Sequence, residues 1–335
     1  MTRVAVLGSG SWGTTFAVVL ADAGAKVTVW GRDAAVCAEI AERHTNSRYL
    51  GDTPLPETVG ASPDAAAVLA DAEIVVLAVP SQTLRSNLTT WRPLLPAGAA
   101  LVSLMKGVEH GTHLRMSEVV REVAAVPEDR VVVVSGPNLA REIAQRQPTA
   151  SVVASADPDA AELVAAACSA PYFRPYTHTD VIGVELGGAV KNVIALAVGI
   201  AEGMGLGDNT KATIVTRGLT ETARLGMALG ADPTTLAGLA GLGDLVATCA
   251  SPLSRNRTLG VALGRGLDLE QAIAAAQHTA EAVTSCGPIL ELARAHDVDM
   301  PITEQVVALI EGQGRVPIPE VATRLLGRPR KSEGL

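Results

Sequence analysis

Only five of the 27 basic residues are lysine, and two of those five sit in apolar surroundings: Lys106 in "ALVSLMKGVE" and Lys191 in "ELGGAVKNVIALA". Arginine does not release a proton at working pH, whereas a desolvated lysine has its pKa lowered toward neutrality. A buried lysine beside a cofactor therefore reads as a proton donor or acceptor. The competing reading is a side chain that carries its ammonium out to solvent. Farther on, "GLAGLGDLVATCASPLSRNRTLG" gathers Asp244, Ser254, Arg255 and Asn256. Asp244 follows a glycine-rich bend, where its carboxylate could orient a lysine ammonium or bind a substrate hydroxyl. Ser254 can cap a helix whose first turn presents Arg255 and Asn256. A helix N-terminus with a guanidinium suits a phosphate group, although a polar loop with an ordinary cap accounts for these residues equally well.

A second stretch with chemical potential is "VAVLGSGSWGTT", residues 4–15. An apolar run ends in Gly8, Gly10 and Gly13, a helical pattern begins at once, and a second strand-like run ends at Trp30. That is the context a dinucleotide fingerprint needs. Gly8 permits the sharp turn, Gly10 lets backbone approach a pyrophosphate, and Gly13 lets helix and sheet pack closely. An NAD site usually has an acidic residue at the end of the second strand for the ribose 2′-OH. Here "VTVWGRD" puts Arg32 first and Asp33 after it. Arg32 suits a 2′-phosphate, so NADP is favoured with NAD as the alternative; a solvated helix-start arginine is the plainer reading.

These residues need a scaffold, and its pattern is legible. Strand-like runs at 3–8, 26–30, 74–79, 99–104, 131–135, 150–154 and 172–176 alternate with Ala-rich helical segments. Such alternation predicts a doubly wound sheet of parallel strands with helical crossovers. After about residue 180 the strand signal stops, and helices are predicted near 181–203, 208–229, 255–264, 269–276, 285–295, 303–311 and 319–326. The expected division is 1–182 and 183–335. Apolar residues make up 48% and aromatics 2%, so the core must be built from Ala, Val and Leu. The net charge of −8 argues against a nucleic-acid binder. The four cysteines, Cys37, Cys168, Cys249 and Cys286, have no metal-ligand spacing and read as buried free thiols of a reducing compartment. The first apolar run leaves no room for a signal peptide, and the most apolar stretch, 193–201, falls short of the ~20 residues a membrane span needs. A cytoplasmic protein is expected.

Taken together, "GSGSWGTT", "VSLMKGVE", "SGPNLA", "GVELGGAVKNVIALAVGI", "GLGDLVATC" and "SRN" resemble the bacterial NAD(P)-dependent sn-glycerol-3-phosphate dehydrogenases, in order and over nearly the whole chain. The resemblance implies a Rossmann domain followed by an all-helical domain similar to that of 6-phosphogluconate dehydrogenase. It also implies a homodimer and reversible reduction of dihydroxyacetone phosphate to sn-glycerol 3-phosphate for phospholipid synthesis, with no metal. By motif, Ser11, Trp12, Arg32, Lys106, Ala140, Arg255 and Glu281 would contact the cofactor. Lys106, Gly136, Asn138, Lys191, Asn192, Asp244, Ser254, Arg255 and Asn256 would line the substrate site, with Lys191 the proton acceptor and Lys106 and Asp244 assisting it. Three positions depart from the family pattern: Asn138 stands for a usual serine, Ala282 for a glycine, and Asp33 for a basic or neutral residue. Other readings are a two-domain dehydrogenase of a 3-hydroxy acid or sugar acid, and a dinucleotide-binding regulator without turnover. No histidine falls inside these motifs, which argues against a His-based site.

Overall fold

The structure, a computed structural model, describes residues 1–275 and 280–312, so the helix expected at 319–326 lies outside the described residues. The chain divides into two compact units, one of residues 1–105 and 115–184, the other of 106–114 and 185–335.

The first unit is built on an eight-stranded sheet of β1 (Arg3–Leu7), β2 (Lys26–Trp30), β3 (Val59–Ser62), β4 (Ile74–Leu77), β5 (Ala100–Ser103), β6 (Val131–Ser135), β7 (Thr149–Ala154) and β8 (Phe173–His178), in the order β3-β2-β1-β4-β5-β6-β7-β8. "IVVL" in β4 and "VVVVS" in β6 are buried along their whole length, as strands covered on both faces must be. The chain winds outward from β1 through β2 and β3, then returns to pair β4 against the other side of β1. Such a reversal opens a crevice at the carboxyl ends of β1 and β4, where open α/β sheets take ligands.

Two features of the sheet differ from the sequence reading. β3, "VGAS", was not expected, because a four-residue edge strand with one β-branched side chain has no strand signature. Parallel pairing with β2 makes it a strand. β7 runs antiparallel to β6, within a sheet expected to be parallel. Between them lies only the five-residue helix Ala140–Ala144. At 1.5 Å per residue it spans roughly 8 Å, too short to carry the chain back along a strand rising about 3.3 Å per residue. The eleven-residue helix Pro158–Cys168 does make that return, and β8 pairs parallel to β7.

The second unit is organised around the helix Val181–Gly203, of which residues 185–203 fall in that unit. By length and hydropathy this helix could cross a membrane, but 89% of its most apolar window is buried inside the protein. It packs as a core helix. The helix Arg255–Gly264 lies unusually close to it, because glycines face glycines. A Cβ added at Gly260 would meet the Leu196 carbonyl and sit 2.9 Å from the Gly199 Cα, and one at Gly264 would sit 2.9 Å from the Gly203 Cα. We expect Gly260→Ala to cost about 1–3 kcal/mol by overpacking, seen as a lower urea midpoint at unchanged slope. A wild-type midpoint would mean the helices separate freely.

The helix Pro301–Glu311 is pinned at its start by the buried Glu221 carboxylate, which accepts from the backbone N–H of Ile302 at 2.7 Å and of Thr303 at 3.2 Å. Helix Glu281–Ala295 begins four residues before the expected 285. The glycine-rich bend before Asp244 is a π-helical turn, Leu239–Gly243, followed by the helix Asp244–Ala250, and a further short helix, Pro233–Ala237, precedes it. Helices of five to seven residues carry too few turns for a 3.6-residue stripe to be visible. Lys106–Leu114, which the sequence division leaves with the first half, belongs to the second unit. Lys106 pairs there with Asp244, and His113 Nε2 lies 2.8 Å from Glu291 Oε2.

Candidate active site

In the first unit, β1 is followed at once by Gly8, whose φ of +139° is a conformation L side chains rarely adopt and whose missing Cβ would strike the Ala78 carbonyl. Gly13 meets the Gly8 carbonyl in the same way, so the helix Ser11–Asp22 starts hard against the strand end. At Gly10, the N-cap of that helix, a Cβ would have nothing within 4 Å. The space beside Gly10 is therefore open. No side chain caps this N-terminus, and Trp12 Nε1 is buried without a partner among the described residues. Unpaired N–H groups at an open, glycine-lined helix start fit a dinucleotide pyrophosphate. Arg32 follows β2 and is exposed, and Asp33 caps the helix Ala34–Ala38. Gly136 (φ +152°) follows β6, with the Ser151 Cα 3.1 Å from where its Cβ would be. Asn138 Nδ2 donates to Ser151 Oγ at 3.0 Å, and the Ala140 carbonyl accepts from Thr15 Oγ1 at 3.2 Å.

In the second unit, Lys191 and Asn192 are both buried on Val181–Gly203. Gly187, one turn earlier, lies against Ala240 and Gly241 of the π-helical turn, and this close approach brings Asp244 to Lys191. Asp244 is 1% exposed and takes both ammoniums: Lys191 Nζ donates to Oδ1, and Lys106 Nζ donates to Oδ2 at 2.5 Å. Thr248, four residues on along the same helix face, accepts from Lys191 Nζ at 2.8 Å and lies 3.3 Å from Asp244 Oδ1. Burial holds the Lys191 pKa down to about 8; Asp244 opposes that shift and Lys106 adds to it. Two lysines on one buried carboxylate thus leave Lys191 close to the proton-exchanging range at neutral pH. Thr248 escaped the sequence reading. Its only signal is the Asp244 spacing of four, meaningful once the segment is known to be helical.

Ser254 caps Arg255–Gly264 as expected, its Oγ accepting from the Arg257 N–H at 3.3 Å, and Arg255 is exposed on the first turn. Asn256 is buried and engaged at both ends. Its Nδ2 donates to Asn192 Oδ1 at 2.9 Å, and its Oδ1 accepts from the Ala282 N–H at 3.0 Å. Asn192 Nδ2 in turn donates to Glu281 Oε2 at 3.3 Å. Burial pushes the Glu281 pKa up, while Arg255, Lys191 and Lys106 pull it down.

The sequence matches the family described as NAD-dependent glycerol-3-phosphate dehydrogenase, its N-terminal part over residues 3–161 and its C-terminal part over 180–318. The chain belongs to that family. It is 60% identical over 331 residues to a glycerol-3-phosphate dehydrogenase [NAD(P)+] of Streptomyces griseus, covering 99% of this chain and 98% of the relative. It is 56% identical to one of Corynebacterium jeikeium, covering 99% and 100%. The crystal structure of glycerol-3-phosphate dehydrogenase from Coxiella burnetii is 38% identical and superposes with a TM-score of 0.90 over 97% of this chain and 98% of that one. Likeness to a ketopantoate reductase of Ralstonia eutropha, at 19% identity and TM-score 0.59 over 93% and 98%, shows a shared fold.

Two departures from the pattern usual in glycerol-3-phosphate dehydrogenases have a structural account. Ala282 occupies the first turn of Glu281–Ala295 and is absent from the positive-φ residues, so a glycine's freedom is not required there. Asn138 keeps a hydrogen bond to Ser151, and its Oδ1 is buried without a partner among the described residues.

Proposed function

We propose that this chain reduces dihydroxyacetone phosphate to sn-glycerol 3-phosphate with NADPH or NADH, reversibly, supplying glycerophospholipid synthesis. The observation that carries the reading is Lys191, buried, paired with Asp244 and held near a pKa of about 8, in a chain of this family. When bound, a reduced nicotinamide supplies the hydride for the C2 carbonyl. By the family resemblance, Ser11, Trp12 and the Gly8–Gly13 turn would hold the dinucleotide, with Arg32 at the adenosine ribose, Ala140 nearer the nicotinamide, and Lys106, Arg255 and Glu281 as further cofactor contacts. Residues 1–182 would supply most of the cofactor contacts and residues 183–335 most of the substrate contacts.

In reduction, protonated Lys191 gives its proton to the oxygen that becomes the C2 hydroxyl; in oxidation, neutral Lys191 takes it back. Asp244 fixes the position of Lys191, and Lys106 and Asn192 stabilise negative charge on that oxygen. Ser254, Arg255 and Asn256 hold the phosphate at a helix N-terminus, with Gly136 and Asn138 as further substrate contacts. The buried Asn256–Asn192 bond joins phosphate grip and proton-transfer helix, so gripping the phosphate orients the reacting carbon. The reading extends to a cytoplasmic homodimer, supported by the family resemblance.

The test is loss of reduced-nicotinamide absorbance on adding dihydroxyacetone phosphate with each cofactor in turn. Turnover on a 3-hydroxy acid instead, or cofactor binding without oxidation, would overturn the assignment. Arg255→Ala should lower kcat/KM for dihydroxyacetone phosphate about 10- to 100-fold, the worth of a charge-assisted hydrogen bond, with a far smaller effect on cofactor Kd. Unchanged substrate kinetics would remove Arg255 from the phosphate site.

A further inference from the structure

An acidic residue beside Arg32 ought to repel a 2′-phosphate, and the structure shows how that repulsion is contained. Both oxygens of Asp33 are occupied: Oδ1 accepts the Ala35 N–H at 3.0 Å, and Oδ2 lies 3.6 Å from Arg48 Nη1. Arg48 comes from the short helix Ser47–Leu50, which is fastened on two sides. Just before it, the fully buried Asn46 donates from Nδ2 to the Ser9 carbonyl at 3.0 Å and to Thr14 Oγ1 at 2.8 Å, tying the segment to the glycine turn. From the other side, the Glu39 carboxylate accepts from the Ser47 N–H at 2.7 Å and from Thr45 Oγ1 at 2.9 Å. The Arg48 guanidinium also lies over the Tyr49 ring, 5.5 Å from its centroid. The backbone that carries Arg48 is therefore anchored in the turn itself, and its side chain, 61% exposed, meets Asp33 at the surface.

We infer that Arg48 is a specificity-determining residue: it neutralises Asp33, so that Arg32 meets the adenosine ribose as an uncancelled positive charge and a 2′-phosphate is accepted. The inference rests on the reading of the Gly8–Gly13 turn as the dinucleotide site. Arg48 acts through Asp33, as a positioning residue, and not by gripping the phosphate.

The experiment titrates the full-length protein with NADPH and with NADH, following nicotinamide fluorescence, and takes the ratio of the two Kd values. Repulsion across water between an unmasked carboxylate and a phosphate dianion predicts that Arg48→Ala shifts this ratio about 5- to 10-fold toward NADH. Asp33→Asn keeps a good helix cap while removing the charge. In the Arg48→Ala background it should restore the ratio to within about twofold of wild type, and Arg48→Lys should hold it there, because only net charge near the ribose matters. An unchanged ratio in Arg48→Ala overturns the inference. A double variant that stays at the Arg48→Ala ratio also overturns it, since Arg48 would then contact the phosphate itself. Failure of the wild type to bind either nucleotide would instead mark the failure of the dinucleotide reading.

Discussion

Lys191→Arg is expected to abolish turnover while leaving cofactor affinity near wild type. The positive charge survives, so a purely electrostatic role would be partly retained. What disappears is a group able to release a proton near neutrality, together with a compact ammonium that fits between Asp244 and Thr248. General acid–base assistance is worth typically ~10²–10⁴-fold, and the planar guanidinium fork cannot occupy the same space without displacing its neighbours. The pH profile gives an independent check. With the Lys191 pKa at about 8, the ammonium needed for reduction is present below that value, so kcat for reduction should fall as pH rises through it. Oxidation needs the neutral amine and should gain rate over the same interval. Single-turnover hydride transfer, measured beside an NADPH titration, tests both claims. Near-wild-type transfer in Lys191→Arg would pass the proton-transfer role to Lys106.

Asp244→Asn should have an effect of similar size for a different reason. One buried carboxylate holds two ammoniums, so its loss leaves two like charges facing each other without the carboxylate that joins them. Removing one partner of a buried pair commonly costs about 3–5 kcal/mol, less here if Lys191 escapes by losing its proton. Asp244 is what raises the Lys191 pKa against burial, so without it the pKa falls below about 8 and the fall in reduction rate should begin at lower pH. We expect kcat for dihydroxyacetone phosphate reduction to drop about 10²-fold or more, with the loss smallest in acid. The pH–rate profile of the variant decides this. A slower enzyme with an unmoved profile would make Asp244 a scaffold residue without influence on the lysine proton.

The Gly8–Gly13 turn, the rarity of lysine and the Ser254–Arg255–Asn256 run were all legible as candidate chemistry, because each is a local signal: a backbone requirement, a residue-type preference, a helix cap. Helix Val181–Gly203 was legible to the residue, since 23 residues give periodicity room to repeat. What sequence could not supply was partnership. That Asp244 serves both Lys106 and Lys191 depends on separations of 138 and 53 residues closing in space. That Asn256 is bonded to Asn192 and Ala282 depends on glycines in two helices that approach only when packed. Thr248 acquires a role only because Asp244–Ala250 is a helix, and β3 is a strand only because β2 offers it an edge. Asp33 by sequence counts against a 2′-phosphate, and only packing sets Arg48, fifteen residues on, beside it. Propensity and periodicity act over a few residues, so they specify elements and candidate groups. A pKa near 8 or a neutralised carboxylate comes from burial and from charges a few ångströms away, and those exist only once the chain has packed.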